Sequence, residues 1–210
     1  DVHSAREGGY DRSPWVESLN GTWQFHWAPD PAHRPEGFHE PVFEAGGFVP
    51  IRVPGNWETQ GHGIPVYSNS RYPFRCDPPR VMGEPDPRFT SFTQRNPVGS
   101  YRKAFHIPAE WSAVAGRRVY LHFAGVRSAF HAWVNGTYIG YSQDSCSPAE
   151  FEITHALAAG VNLLALEVYK YCAGSYLEDQ DMWRRAGIFR DVFLWCAPSV
   201  HYWDVLAWGD

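Results

Sequence analysis

The sequence predicts an all-β fold, a jelly-roll β-sandwich with about eight or nine strands and long loops. Three observations lead to this prediction. Short segments of alternating apolar residues recur along the chain, turn residues separate them, and no segment long enough for an ordinary helix shows helical periodicity. The aromatic content of 16% agrees, because aromatic side chains favour strands.

The first strand is predicted at residues 22–27, where Trp23, Phe25 and Trp27 alternate with polar residues after a turn at residues 19–21. A short strand is predicted at 48–53. Residues 54–99 then show little periodicity and contain many prolines, which predicts a long loop. Long loops in compact domains are uncommon and often functional, so this loop is expected to line a site.

The rest of the chain is predicted to be strand after strand. Val119, Leu121 and Phe123 alternate and are expected to point inward. Asn135-Gly136 predicts a two-residue hairpin turn, because both central residues of such a turn need a positive φ. The predicted strands cover residues 101–107, 117–125, 128–142 (two strands), 151–157, 161–171, 187–196 and 200–208.

Composition and motifs exclude several classes of function. The net charge is −5 and no basic stripe exists, so we expect no nucleic-acid partner. No apolar run is long enough for a membrane-spanning helix, so no membrane partner is expected. The sequence has no G-x-S-x-G motif for a nucleophilic serine, no H-E-x-x-H motif for a catalytic zinc ion and no Gly-rich loop for a nucleotide phosphate.

The four widely spaced cysteines are expected to be free thiols rather than zinc ligands or disulfides, at positions 76, 146, 172 and 196. The chain starts at Asp1 without an initiator methionine, which suggests a fragment of a longer protein. The compartment is open, with the cytoplasm favoured and the periplasm or secretion as alternatives.

The segment LEDQDMW (177–183) places Glu178, Asp179 and Asp181 directly before Trp183. It is either a solvated turn or one wall of a site for a polar ligand, and the residues alone slightly favour the turn. A catalytic pair formed by Glu178 and Asp181 is disfavoured, because such pairs usually come from different strands. A carboxylate can instead accept hydrogen bonds from sugar hydroxyls or ligate a hard cation.

Five stretches together resemble, in order and over residues 15–198, the N-terminal domain of bacterial β-galactosidases of glycoside hydrolase family 2. They are SLNGTWQFHW (18–27), VPGNWETQGHGIPVYSNSRYPF (53–74), NPVGSYRKAFHIP (96–108), FAGVRSAFHAWVNGTYIGYSQDSCSPAEFEIT (123–154) and GSYLEDQDMWRRAGIFRDV (174–192). β-Glucuronidases and β-mannosidases of the family share the fold. The combination of GYSQDS, EFEIT and YLEDQDMW resembles the galactosidase branch.

The resemblance implies a galactose-binding-domain-like jelly roll at residues 16–200, after an arm at 1–15 and before the start of a linker or next domain at 201–210. In the parent enzymes an immunoglobulin-like domain follows, and a TIM barrel carries the two catalytic glutamates. We therefore expect no catalytic residue here and no activity of the chain alone. The full-length retaining β-galactosidase, which hydrolyses terminal β-D-galactose residues, is expected to be a homo-oligomer.

The resemblance also assigns substrate contacts. Asp181 matches the aspartate that contacts galactosyl hydroxyls and a sodium ion shared with the absent barrel. Asn69 matches the asparagine of the Y-x-N-x-x-Y-P stretch, which contacts the sugar, and Ser70 beside it is a further expected contact.

Supporting roles are expected for three neighbours of Asp181. Glu178 and Asp179 are expected to hold the loop through backbone N–H groups, Arg184 or Arg190, and Trp183 to pack beneath it.

The resemblance implies magnesium in the full-length enzyme, but not bound by this chain. Some relatives carry an aspartate that holds the ion together with a glutamine matching Gln143, and this chain has Ala173 at that place.

Two other functions stay open. One is a free-standing carbohydrate-binding module, or the equivalent domain of a β-glucuronidase or β-mannosidase relative. The other is a pure scaffold or oligomer-interface domain.

Overall fold

The structure is a computed structural model that describes residues 13–112 and 116–209. Within these ranges it has a single short α-helix, α1 (Ala109–Ser112), and short antiparallel strands. The strands are β1 (Val16–Ser18), β2 (Gly21–Ala28), β3 (Val49–Val53), β4 (Val66–Ser68), β5 (Val98–His106), β6 (Arg117–Phe123), β7 (Val126–Arg127), β8 (Ala129–Val134), β9 (Thr137–Gln143), β10 (Ala149–Glu152), β11 (Val161–Tyr169), β12 (Met182–Arg184), β13 (Gly187–Ile188) and β14 (Val192–Pro198).

Two large antiparallel sheets form the predicted β-sandwich. One has six strands in the order β3-β2-β5-β11-β8-β9, and the other has four in the order β1-β14-β6-β10. Two small ribbons, β12-β4 and β13-β7, complete the fold. The strand count exceeds the prediction because β1, β4, β7, β12 and β13 have only two or three residues, too few to show a periodic pattern.

The core lies between the two large sheets. From β2, Trp23 and Phe25 are buried, as the alternating pattern predicted. From the facing sheet, Leu121 and Phe123 on β6 are fully buried. The rings of Phe123 and Phe130 meet across the interface with centroids 4.8 Å apart, so the two sheets are in direct contact.

The predicted hairpin turn is present, with φ of 52° at Asn135 and 82° at Gly136. The Asn135 side chain also forms three hydrogen bonds. Its amide donates to Asn162 Oδ1 at 2.7 Å and to the Ala156 carbonyl at 2.9 Å, and its Oδ1 accepts from the Leu163 N–H at 2.8 Å. The turn is thereby tied to the start of β11.

Three strand predictions were wrong in part or whole. The segment 151–157 leaves the sheet after Glu152 and forms a 3-10 turn at Thr154–Ala156. The segment 187–196 is broken in two, because β13 pairs with β7 whereas β14 pairs with β6.

The predicted strand at 200–208 is absent from the described residues. It has no neighbouring strand there to supply backbone partners, and its large apolar side chains are exposed, at positions 200, 202, 203, 205, 206 and 208. Most of the predicted arm at 1–15 lies outside the described residues, which begin at 13.

A buried ion pair fastens the long loop 54–99 to the sandwich. Lys170, directly after β11, donates to Glu58 Oε1 at 2.7 Å, with side-chain exposures of 4% and 1%. The same ammonium donates to the Ile64 carbonyl at 2.9 Å, and Glu58 Oε2 accepts from the Ala186 N–H at 2.9 Å. Burial lowers the pKa of Lys170, and the Glu58 carboxylate opposes this.

Backbone hydrogen bonds continue the same attachment. The Gly55 N–H donates to the Ile188 carbonyl at 2.7 Å and the Trp57 N–H to the Ala186 carbonyl at 3.0 Å. Trp57 is fully buried and packs on Phe25. The beginning of the loop is therefore fixed along residues 186–188, which follow the acidic segment.

The four cysteines are free thiols, as predicted, with Cys172 and Cys196 buried and Cys76 and Cys146 exposed. Within residues 13–112 and 116–209 no helix is long and apolar enough to cross a membrane.

Lys170→Met should lower the free energy of unfolding of this chain by about 3–5 kcal/mol, because it leaves the buried Glu58 carboxylate without its counter-ion. Adding Glu58→Gln should recover part of the loss, since an amide keeps an acceptor for Ala186 without the charge. Urea denaturation measures both. Lys103→Met, at a less buried lysine, is the control; an equal loss at Lys103 and Lys170 would contradict the role of the pair.

Asn135→Ala should cost about 2–3 kcal/mol, because it removes three hydrogen bonds and places alanine at a positive φ. Thermal unfolding of the same chain gives the measurement. Asn69→Ala, at an exposed asparagine, should leave stability within about 0.5 kcal/mol of the parent. If both variants unfold like the parent, the hydrogen bonds of Asn135 do not stabilise the turn.

Candidate functional site

A small ribbon pairs the two chain segments that lead to the predicted sugar contacts. Strand β4 pairs antiparallel with β12, so that Ser68 lies opposite Met182, and Tyr67 opposite Trp183. Asn69 follows Ser68 and Asp181 precedes Met182. Asn69 and Asp181 therefore both adjoin the same end of the ribbon, although they lie far apart in the sequence.

The two faces of this ribbon differ in burial. Val66, Ser68 and Arg184 are buried, and Met182 is half-buried. The alternate residues are exposed, and they are Tyr67, Asn69, Asp181 and Trp183. Tyr67 and Trp183 lie on one open face of the ribbon, because side chains alternate along a strand, and Asn69 and Asp181 adjoin its end. These four exposed residues are called the ligand face below. Ser70, the third predicted contact, is also exposed, directly after Asn69.

Trp183 does not pack beneath the loop, which corrects the expectation. It is 51% exposed, and its ring lies 5.6 Å from that of Tyr67, which is 45% exposed. Tyr67 was not among the predicted site residues. Its position two residues before Asn69 was a usable signal, because residues two apart on a strand share a face.

Asp181 is exposed and interacts with the Tyr67 hydroxyl on the ligand face. The nearby Asp181 carboxylate raises the pKa of Tyr67, and desolvation acts in the same direction. Tyr67 therefore keeps its proton, and its hydroxyl can serve as a donor to the carboxylate.

Glu178 holds a neighbouring loop. Its carboxylate accepts from the Ser145 N–H at 2.7 Å and from the Ser145 hydroxyl at 2.6 Å. This is a contact to a backbone N–H of the expected kind. With its oxygens engaged there, Glu178 does not form a facing pair with Asp181.

Asp179 forms an ion pair with Arg184, one of the two arginines expected as partners. The Arg184 guanidinium is buried, and it also donates to Ser68 Oγ at 2.7 Å and to the Glu178 carbonyl at 3.4 Å. One side chain thus joins both strands of the ribbon to the acidic segment. The other arginine, Arg190, instead donates to the Cys146 carbonyl at 2.8 Å.

The ligand face offers a partial fit to a cation. Within the described residues, no three His, Cys, Asp or Glu side chains lie close enough to hold a metal ion. Hard cations take several oxygen ligands, and Asp181 and Asn69 can supply only some of them. These residues could therefore supply only part of the oxygen shell of a hard cation such as sodium.

At the place considered for magnesium, the Gln143 amide lies beside Gly174, and its Oε1 accepts from the Tyr141 hydroxyl at 3.1 Å. Ala173 contributes no oxygen from its side chain. That magnesium is held elsewhere in the full-length protein stays a prediction.

Chemically, the ligand face combines polar and aromatic groups. Asp181 accepts hydrogen bonds, and Asn69 can both donate and accept them. Tyr67 and Trp183 add apolar ring surface with polar edges. Such a combination suits a ligand with several hydroxyls and an apolar face, and it contains no nucleophile activated by a base.

Comparisons with known proteins agree with the sequence and the fold. A family model described as "Glycosyl hydrolases family 2, sugar binding domain" matches residues 16–198. A β-galactosidase of Priestia megaterium (strain DSM 319 / IMG 1521) is 43% identical over 204 residues, 97% of this chain and 19% of the relative. A β-galactosidase of Yersinia pestis bv. Antiqua (strain Angola) is 43% identical over 206 residues, 98% and 18% respectively. The chain thus spans about a fifth of the length of these curated relatives.

Solved structures share the fold. Bacteroides uniformis β-glucuronidase 2 superposes with a TM-score of 0.62 at 19% identity, covering 87% of this chain and 18% of that one. Bifidobacterium dentium β-glucuronidase gives a TM-score of 0.61 at 21% identity, covering 87% and 30%. The match over residues 16–198, the relatives and the sandwich fold agree: this chain belongs to glycosyl hydrolase family 2 and is a sugar-binding domain of that family.

Proposed function

We propose that this chain completes the galactose subsite of a retaining β-galactosidase. The observation that supports the proposal is the β4–β12 ribbon, which pairs the segments next to Asn69 and Asp181, and both of these residues are exposed. The 43% identity to curated β-galactosidases supports galactose as the sugar. The substrate is then a β-galactoside, and the catalytic glutamates lie in a TIM-barrel domain outside this chain.

In this proposal the chain binds and orients the sugar and performs no bond cleavage. Asp181 accepts hydrogen bonds from galactosyl hydroxyls, Asn69 contacts a further hydroxyl, and Ser70 contacts the substrate beside it. A sodium ion held by Asp181 and by groups of the barrel supplies positive charge that binds a hydroxyl oxygen. These contacts accelerate the reaction to the extent that they strengthen in the transition state.

Glu178, Asp179 and Arg184 serve this site by holding the acidic segment against β4 and Ser145. The exposure of the ligand face supports a role next to another part of the same polypeptide, since an open face gives a sugar only one wall. We propose immunoglobulin-like and barrel domains as those parts, in a full-length protein that forms a homo-oligomer.

The aromatic pair of Tyr67 and Trp183 favours one alternative, a free-standing carbohydrate-binding module.

Titration of the 210-residue chain with galactose separates the two functions. We expect no binding tighter than about millimolar by calorimetry, because most of the subsite is missing. Glucose, which differs from galactose only in the configuration of one hydroxyl group, is the control ligand. Micromolar binding selective for galactose would contradict the proposal and favour the free-standing module.

Asp181→Asn in the full-length protein should lower kcat/KM for a β-galactoside by about 10- to 100-fold, because a hydrogen bond to a charged group stabilises by about 1.5–3 kcal/mol. Steady-state kinetics at fixed sodium concentration provide the measurement. Glu84→Gln removes an exposed carboxylate from the proline-rich loop and should change little. Unchanged kcat/KM for Asp181→Asn would remove its direct role and favour a pure scaffold.

A further inference from the structure

We propose that the outer face of the six-stranded sheet holds a binding site for a small organic carboxylate, with Arg102 on β5 as the residue that binds its two oxygens. Tyr101 and Phe105 on the same strand belong to the core, so Arg102 faces the other way. The site lies on a different sheet from the β4–β12 ribbon and does not depend on the proposed function.

Among residues 13–112 and 116–209, Arg102 is the one buried cation without a carboxylate partner. Three cationic side chains are buried there, and the other two are paired, Lys170 with Glu58 and Arg184 with Asp179. Arg102 is only 6% exposed and forms no ion pair with a described residue. A charge removed from water is costly unless an opposite charge lies close to it, so this guanidinium favours the binding of an anion.

Backbone carbonyls use only part of the Arg102 guanidinium. Its Nη1 donates to the carbonyls of Phe38 and Glu40, the second at 3.1 Å, and the Phe43 ring of the same loop lies 5.5 Å from its central carbon. Its Nε is buried without a hydrogen-bond partner, and its Nη2 has none among the described residues. These two nitrogens share one edge of the guanidinium, where two parallel N–H groups match the two oxygens of a carboxylate.

The electrostatic surroundings of Arg102 differ from those of Lys170 in the same respect. Burial lowers the pKa of Arg102, and no carboxylate of the described residues opposes this. Burial also lowers the pKa of Lys170, but there the Glu58 carboxylate acts in the opposite direction. Because arginine stays protonated in proteins, the charge of Arg102 persists and remains available to a ligand.

Arg102 lines an open cavity of about 560 Å³, a volume within the range of small-molecule sites. The lining contains a second cation, Lys103, whose Nζ donates to a backbone carbonyl at 3.0 Å, and it contains no aspartate or glutamate. Its apolar residues include Phe48, Val49 and Pro50, and Val49 is 43% exposed. Two cations beside apolar surface suit an organic acid with a short apolar chain better than inorganic phosphate.

Titration of the isotope-labelled 210-residue chain with butyrate, followed by NMR, tests the site. We expect the Arg102 Nε–H and the backbone N–H groups of Val49 and Lys103 to shift and saturate, with a Kd in the millimolar range because the ligand is so small. Arg102→Lys keeps the charge without the paired donors, and should weaken butyrate binding about tenfold. Arg102→Met should remove saturable binding.

Arg118→Met, at an exposed arginine on β6 in the four-stranded sheet, is the matched control and should bind butyrate like the parent. Butanol, which has the apolar chain without the charge, should not bind, and inorganic phosphate should bind more weakly than butyrate. Equal binding of butanol or phosphate, or an unchanged butyrate affinity in Arg102→Lys, would overturn the proposal. Arg102→Lys decides the outcome alone if the methionine variant does not fold.

The full-length protein distinguishes a free carboxylate from an acidic side chain of the same polypeptide. Saturation-transfer difference NMR of butyrate on that protein should give a signal that Arg102→Lys weakens. If no such signal appears there although the 210-residue chain binds butyrate, another part of the polypeptide fills the site, and the proposal of a small-molecule site is wrong.

Discussion

The buried pair of Glu58 and Lys170 is the interaction on which the site geometry depends. It joins the start of the long loop to the end of β11 and, through Ala186, to the chain that leaves the acidic segment. A charge removed from water is costly unless its partner is present and well placed. Here each charged group also bonds to the backbone, Lys170 to the Ile64 carbonyl and Glu58 to the Ala186 N–H. The pair therefore favours one arrangement of these three segments over all others. The two strands of the ligand-face ribbon, β4 and β12, extend from segments fixed in this way.

The β4–β12 ribbon is also held by the interactions of a buried charged side chain. Its buried face carries Arg184, which binds Ser68 and Asp179, and its open face carries the polar and aromatic groups. The acidic residues of one short segment therefore divide their roles. Glu178 and Asp179 neutralise or satisfy buried donors, which keeps the segment in place. Asp181 is left exposed, and its charge is available to a ligand.

Several features of the fold followed from the sequence because they are local. The alternation of Trp23 and Phe25 with polar residues predicted β2, and Asn135-Gly136 predicted the hairpin of β8 and β9. Predictions failed where the pairing of strands distant in sequence decides whether a strand forms. Apolar alternation at residues 200–208 suggested a strand, yet the described residues provide no strand beside it. The short strands β4 and β12 have no periodic pattern of their own and exist because each pairs with the other.

For the site, the sequence by itself determined the chemical groups: clustered carboxylates beside an indole, and an asparagine in a proline-rich loop. Its resemblance to a family assigned Asp181 and Asn69 to one ligand. Only the tertiary structure decided that the segments next to these residues pair, that Trp183 is exposed, and that its ring lies against Tyr67. The reason is that residue types fix what a side chain can bond to, whereas the pairing of distant strands and the burial of one face fix where it points.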